Sequence, residues 1–408
     1  MSRLAIIGGG MAGASLALAL QAGARQRGWT LHLIEPFAPG ASYQPSYDAR
    51  STALSHGSRL IYERLGVWPV IAERAEPIRH IHVSERGRLG VTRLHAGQER
   101  VPALGYVVEN AWLGHCLWQA LDSRCVQLHC PEQVQTLAPV EGGGYRLVLR
   151  QQGELECALA VLADGGRSDL REQLGIGVRR SPYGQSALIA NVTPGKSHAG
   201  MAFERFTDEG PLALLPLQDN RCALVWSRPP EQAERLAGLP AAAFLDELQQ
   251  AFGYRLGGFR QVGSRHLYPL ELIEAEEQVR SGLVVLGNAA HSLHPIAGQG
   301  YNLSLRDAWA LAETLLHSPA APGELAALQD FQRRQARDQW LTVGASDHLT
   351  RLFGDSARGL GIARSMALSA LDLLPPAKHW LARQAMGLGV RQAWLQERQG
   401  GDGQCERS

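Results

Sequence analysis

The chain has 408 residues, of which 45% are hydrophobic and 19% charged, with a formal net charge of +1. Such a length exceeds one ordinary domain, so a folded protein of two domains plus a terminal extension is expected. The near-neutral balance carries no block of like charge, which argues against nucleic acid or a strongly anionic membrane as the main partner. Residues 4–7 read as a buried parallel strand, 12–26 as the following helix and 31–35 as a second strand, closing a βαβ unit. Residues 49–65 read as a helix with Leu54, Leu60, Ile61 and Leu65 on one face. Asn110 reads as the N-cap of a helix to about Leu121, and 126–130 as a short strand. A meander follows at 134–139, 145–150 and 155–163, with turns at Gly142-Gly143-Gly144 and near Gly153. From about 181 the texture changes to short alternating segments, 186–193, 201–206, 211–216 and 221–227, expected to form an antiparallel sheet. Helical stretches within 231–251 and a strand near 260–268 complete that region. Residues 283–286 are again a buried strand. Helices are expected at 302–316, 323–350 and 355–395, ahead of a disordered tail.

Chemistry enters where glycines punctuate this pattern. In Gly8-Gly9-Gly10-Met11-Ala12-Gly13, Gly8 permits the tight strand-to-helix turn, Gly10 lets the backbone approach a pyrophosphate, and Gly13 lets helix and strand pack closely. The helix opening at Met11 and Ala12 offers unpaired N–H groups and a positive dipole end to phosphates. Glu35, 22 residues after Gly13, ends the second strand where an acid can accept hydrogen bonds from an adenosine ribose; a solvated strand end is the plainer alternative. This segment alone does not separate FAD from NAD. Arg50, just ahead of the expected helix, could grip a pyrophosphate as a fixed fork or be an ordinary surface arginine. In Ala163-Asp164-Gly165, Asp164 is on local grounds a turn residue or an N-cap.

The second glycine-bearing segment runs from Gly287 to Asn302. Pro295 puts His294 in an extended conformation, and Gly298-Gln299-Gly300 leads into a helix whose first amides suit negative charge developing on a reduced flavin ring. His291 and His294 read equally as hydrogen-bonded core histidines, and Asn302 as a cap. Six scattered cysteines (Cys116, Cys125, Cys130, Cys157, Cys222 and Cys405), without CxxC or zinc spacing, suggest free thiols and no metal. Arg3 and the residues after it imitate a secretion signal, but the glycine triplet breaks its apolar stretch. No run of about 18 apolar residues offers a membrane span. The expected location is cytoplasmic, with peripheral membrane association left open.

Together these segments resemble the FAD-dependent aromatic hydroxylases of the p-hydroxybenzoate hydroxylase fold, and within them the ubiquinone-biosynthesis hydroxylases acting on polyprenylated methoxyphenols. The telling stretches are IIGGGMAGASLALAL (6–20), DARSTALS (48–55), ADGGRSDLR (163–171), AFERFTDEGPLALLPL (202–217) and GNAAHSLHPIAGQGYNLSLRDAWALAE (287–313). The resemblance implies an α/β fold: a Rossmann-like FAD-binding domain assembled from discontinuous segments (1–72, 103–180, 269–345), an inserted antiparallel-sheet substrate domain (73–102, 181–268), C-terminal helices (346–395) and a disordered tail (396–408). It implies that Gly8, Gly10, Met11, Ala12, Gly13, Glu35 and Arg50 bind the ADP half of FAD. Asp164 and Gly165 would touch FAD and NAD(P)H, Asn288 the ribityl chain, and Pro295, Gly298, Gln299, Gly300 and Asn302 the isoalloxazine. Asn288 stands where most of the class has Asp, which keeps hydrogen bonding but not charge.

The activity implied is hydroxylation of a polyprenylated phenol through a flavin C4a-hydroperoxide, with NAD(P)H as transient reductant and dioxygen as co-substrate. Pro295 belongs to the expected reaction centre, and His294 and Tyr268 are the candidate bases. Phe203, Phe206, Leu212, Leu214, Leu215 and Trp226 could wall an apolar pocket, though ordinary sheet core is the default for most. A flavin halogenase is disfavoured: no WxWxIP segment occurs, and the lysines Lys196 and Lys378 lie outside the site motifs. The remaining alternatives are a reductase of a prenylated substrate and a non-catalytic flavoprotein scaffold. A greasy substrate implies membrane extraction or hand-over within a biosynthetic complex, and the 355–395 helices would pack on the core, form a homo-oligomer or touch the membrane.

Overall fold

A computed structural model describes residues 2–37, 46, 49–88, 90–166, 168–207, 209–293, 298–354, 372 and 374–389. The first sheet has six strands in the order Val279–Arg280, Leu283–Val285, Leu159–Leu162, Arg3–Ile7, Thr30–Ile34 and Val126–His129. All pairings in it are parallel except that of Val279–Arg280. The opening strand sits mid-sheet with its successor on one side and Leu159–Leu162 on the other, so chain direction reverses there. Open α/β sheets bind ligands at the carboxyl ends of strands beside such a switch point. The helix Met11–Gln26 and the helix Gln299–His317 pack on the sheet through Leu16, Leu20, Ala308, Leu311 and Leu315. A Cβ at Gly23 would stand 2.4 Å from the Leu316 side chain.

The second large sheet has nine strands. Its order is His291–Ser292, His266–Ala275, Val178–Pro194, Arg221–Arg228, Gly210–Leu217, Met201–Thr207, His80–Glu85 and Val91–His95, with Phe259–Val262 pairing beside Val178–Pro194. Only the contact between Met201–Thr207 and His80–Glu85 is parallel. One face is covered by the helices Pro230–Gly238 and Ala241–Phe252, which bury Leu188, Phe203, Leu212, Leu214 and Trp226. On the other face Ala202, Leu217 and Ala223 pack with Ile78 and Val107 of a three-stranded sheet made of Ser51–Ser55, Gly105–Glu109 and Ala75–Ile78. His291–Ser292 extends this sheet by one short strand immediately before the second glycine loop.

Two local expectations are corrected. Residues 49–65 are not one helix: Ser51–Ser55 is a strand paired with Gly105–Glu109, and the helix is His56–Arg64. Short apolar runs are ambiguous in period, and long-range pairing decides this one; Ser55 then caps the helix by accepting from the Ser58 N–H at 3.1 Å. The 155–163 segment is likewise two strands, Gly153–Cys157 in the three-stranded meander and Leu159–Leu162 in the parallel sheet. Of the expected C-terminal helices, Pro375–Ala385 is described, and Ala382, Met386 and Leu388 pack against Leu94, Ala96 and Leu104. The expected tail lies outside the described residues. Among the described residues no helix is long and apolar enough to cross a membrane, and no cluster of metal-ligating type occurs.

Candidate functional site

At the carboxyl ends of the parallel strands lies a trough of about 800 Å³, lined by Gly8, Gly10, Met11, Ala12, Glu35, Asp164, Gly165 and Asn288. The glycines of the first turn divide their work. Gly8 has φ +103°, and a Cβ there would meet the Ala163 carbonyl oxygen at 2.5 Å. At Gly13 a Cβ would lie 1.9 Å from the Gly8 oxygen, so helix and turn touch because this side chain is missing. Gly10, by contrast, would aim its Cβ into open space. It is the N-cap of the first helix and carries no side-chain capping bond. That leaves a bare helix N-terminus facing the trough, a ready anion site.

Glu35 closes one side of the turn. Its Oε2 accepts from the Gly9 N–H at 2.6 Å and its Oε1 from the Phe37 N–H at 3.1 Å. Each carboxylate oxygen keeps a lone pair, so a sugar hydroxyl can still be accepted. Trp118, which the sequence did not single out, donates its indole N–H to the Gly9 carbonyl at 2.8 Å. Asp164 faces the trough and accepts from the Ser168 hydroxyl at 2.8 Å. Surrounding protein desolvates its carboxyl and raises its pKa above the usual range. The cap of the next helix is Ser168, not Asp164.

The second glycine segment converges on the first. Gly287 has φ +65°, and a Cβ on it would sit 3.2 Å from the Ala12 Cβ. Arg171 fastens this juncture: it is fully buried, and its guanidinium donates to the Ala289 carbonyl at 2.7 Å and the Gly166 carbonyl at 3.3 Å. The Asp-Gly turn and the Gly287–Ala289 turn are therefore held by one side chain, a role legible only in three dimensions.

Against the nine-stranded sheet the space continues as a cavity of about 370 Å³ that shares Met11, Asn288 and Tyr301 with the trough. Arg50, Tyr268, Gly298 and Gly300 line it, and Arg50 donates to the Tyr268 hydroxyl at 3.1 Å. Ile189, Leu215 and Val225 supply an apolar floor. Of the aromatic and aliphatic residues expected to wall this pocket, Leu215 does so. Phe203, Leu212, Leu214 and Trp226 lie in the core on the opposite face, and Phe206 is buried without lining the cavity. Behind Tyr301, its hydroxyl meets those of Tyr62 and Ser15. Burial pushes Tyr301 up to about 12 and Tyr62 well above its ordinary value, so both stay protonated.

Three expectations need correction. Asn302 does not face the cavity: it is 1% exposed, its Oδ1 accepts from Ser55 N–H and Ser58 Oγ, and its Nδ2 donates to the Ala53 and Gly298 carbonyls. All its hydrogen-bonding capacity goes to pinning the Ser51–Ser55 strand to the helix start. Gln299 turns its amide to the Ala385 carbonyl at 3.3 Å, away from both cavities. His291 is mostly but not fully buried and is not hydrogen-bonded through its ring; the Asp307 carboxylate stands 3.9 Å away, and burial lowers the imidazole to about 4. His294 and Pro295 lie outside the described residues.

The family described as FAD binding domain matches residues 1–341. Ubiquinone hydroxylase UbiL of Rhodospirillum rubrum is 34% identical over 387 residues, covering 94% of this chain and 89% of that one. The 3-demethoxyubiquinol 3-hydroxylase of Escherichia coli is 32% identical over 404 residues, covering 95% and 99%. Among solved structures, PqsL of P. aeruginosa in complex with 2-aminobenzoylacetate superposes with a TM-score of 0.74 at 21% identity, covering 89% of this chain and 99% of PqsL. That likeness shows a shared fold.

Proposed function

The chain belongs to the FAD binding domain family, and we propose that it hydroxylates a polyprenylated phenol ring in ubiquinone biosynthesis, consuming NAD(P)H and dioxygen. It is an FAD-dependent monooxygenase with FAD as its cofactor. The observation that carries the reading is the convergence of two distant glycine segments on one trough that opens into an apolar-floored cavity. FAD fits these residues: the uncapped helix start at Gly10 would take the pyrophosphate, and Glu35 the ribose. Asn288 would hold the ribityl chain, and Gly298 and Gly300 the ring edge. When bound, FAD supplies the reductive activation of dioxygen.

The protein's own part is to hold and shield. The start of the Gln299–His317 helix would stabilise negative charge on the ring, while Ile189, Leu215 and Val225 keep water from the phenol and orient it. Incubating purified protein with FAD, NAD(P)H, a short-chain prenylphenol and labelled dioxygen tests the reading. One labelled oxygen in the product is expected. Substrate reduction without label would make the protein a reductase, and retained flavin without turnover would make it a scaffold. Delivery of the polyprenyl substrate would need membrane contact or hand-over from a partner. Liposome flotation with and without the residues after 354 separates these.

A further inference from the structure

The helix Pro375–Ala385 lies beyond the residues 1–341 that match the FAD binding domain family, yet its end reaches the second glycine segment. That end is a glycine cap. Gly387 has φ +69°, its N–H donates to the Gln384 carbonyl at 3.0 Å, and the Leu388 N–H donates to the Arg383 carbonyl at 2.9 Å. Leu388 packs in one apolar cluster with Ala382. A left-handed glycine permits this paired closure, which satisfies two of the last helix carbonyls. The carbonyls of Ala385 and Met386 remain, and a donor from outside the helix must meet them.

Both donors come from the flavin side. The Gly57 N–H donates to the Met386 carbonyl at 2.8 Å, and the Gln299 Nε2 donates to the Ala385 carbonyl at 3.3 Å. Gly57 stands in the first turn of His56–Arg64, where backbone N–H groups have no partner within the helix. Gln299 opens the helix Gln299–His317. Two helix starts are thus stitched to one helix end. The approach leaves no room for side chains: a Cβ at Gly57 would stand 3.0 Å from the Gly387 carbonyl oxygen, and one at Gly387 would stand 2.9 Å from the Ser55 Oγ. Ser55 carries the contact onward. Its N–H donates to the Asn302 Oδ1 at 2.8 Å, and the Asn302 Nδ2 donates to the Gly298 carbonyl at 2.7 Å. One short turn therefore fixes Gln299 directly and Gly298 through Ser55 and Asn302. Gly298 and Gly300, on either side of Gln299, line the cavity.

The helix is anchored at its other side on the nine-stranded sheet. Ala382 and Met386 pack on Leu94 and Ala96, and Asp372, paired with Lys378 at 2.9 Å, accepts from the Arg93 N–H at 3.1 Å. We propose that the turn Ala385–Gly387 is a working part of the flavin site, which positions Gln299 and with it the glycines at the ring edge. Gln299, Gly57 and Gly387 are then positioning residues, and none of them lines the trough or the cavity. The inference rests on the reading that Gly298 and Gly300 hold the ring edge. The ADP end is built separately, by the first turn with Glu35 and Trp118. Losing the strap contact should loosen one end of the cofactor only.

The test uses the full-length protein and its Gln299→Met, Gly387→Ala and Gly300→Ala variants, titrated with FAD and with ADP as a probe of the adenosine end alone. Gln299→Met keeps the side-chain length and loses the donor, and Gly387→Ala drives a Cβ against Ser55. Each should raise the FAD dissociation constant about 10-fold, the worth of one hydrogen bond, and leave that of ADP at the wild-type value. FAD bound at wild-type strength by either variant overturns the proposal. So does a parallel loss of FAD and ADP, because the turn would then serve only general stability. Gly300→Ala examines the reading underneath. Its Cβ would meet only Leu293, at 3.9 Å and itself on the cavity wall, so the methyl would enter the space assigned to the ring. Wild-type FAD affinity in Gly300→Ala overturns the ring-edge reading and this inference with it. Weakened FAD in Gly300→Ala alone keeps that reading and overturns the strap.

Discussion

Two neighbouring glycines should answer the same substitution in opposite ways. At Gly10 the backbone is extended, φ −63° and ψ −177°, and a Cβ would meet nothing within 4 Å. Alanine there loses some N-capping preference but reduces the freedom of the unfolded chain, so apoprotein stability should change by no more than about 1 kcal/mol. The new methyl nevertheless occupies the space in which a pyrophosphate would meet the helix N-terminus. Loss of one N–H hydrogen bond to a charged phosphate is worth about 1.5–3 kcal/mol, or about 10- to 100-fold in FAD dissociation constant. At Gly13 the 1.9 Å approach to the Gly8 oxygen must open by roughly 1 Å before a Cβ fits, and such overpacking costs about 1–3 kcal/mol or more. Gly10→Ala should therefore weaken FAD with an unchanged apoprotein, and Gly13→Ala should destabilise the apoprotein itself. Flavin-fluorescence titration and urea unfolding of both variants read the two quantities separately. A Gly10→Ala protein that binds FAD like wild type would refute the claim that this turn faces the cofactor.

Arg171→Leu removes the donor to Ala289 and Gly166 and leaves buried carbonyls without their partner. It should lower stability by about 2–4 kcal/mol and weaken flavin retention; an unchanged urea midpoint would deny the clamp. The His291–Asp307 pair predicts opposing pH effects. Burial lowers His291 from 6.5 to about 4, so its contribution is present above 6.5 and lost as pH falls towards 4. Burial chiefly raises Asp307 from 3.8 to about 6, so its contribution is present below 3.8 and lost as pH rises through 6. Each is on the order of 3 kcal/mol, and in the wild type they largely cancel between pH 4 and 6. His291→Leu should then lose stability as pH rises across that window and Asp307→Asn should gain it, as read by chemical denaturation at each pH. Parallel slopes in the two variants would contradict the assignment.

The features legible in the sequence were those with local causes. The βαβ unit, the tight turns at Gly8 and Gly298, and the alternation in 201–228 each follow from spacing and residue type. Residues whose role depends on a distant partner were misread or passed over. The resemblance placed the Asn302 side chain with the ring-contacting residues, but its Ser55, Ser58 and Ala53 partners lie about 250 positions away in the chain. The strand Ser51–Ser55 looked helical because only its register with Gly105–Glu109 distinguishes the two states. Trp118 lay in no motif, and Arg171, though inside the quoted ADGGRSDLR stretch, was given no role because its partners Ala289 and Gly166 become its neighbours only in the fold.

The two sheets are not joined merely by side-chain packing. His291–Ser292, immediately ahead of the second glycine loop, pairs with Glu274 and Ile273 of the strand that also carries His266 and Tyr268 in the cavity. Backbone hydrogen bonds thus link the loop expected to hold the ring to the floor expected to hold the phenol. The reacting atoms of an oxygen transfer must be held at near-contact distance, and small displacements cost orders of magnitude in rate. A mobile domain interface would not hold that spacing, whereas a shared strand does. Because the sheet crosses from one structural unit to the other, substrate position and cofactor position are set together, and a register error in the His266–Ala275 strand would disturb both at once.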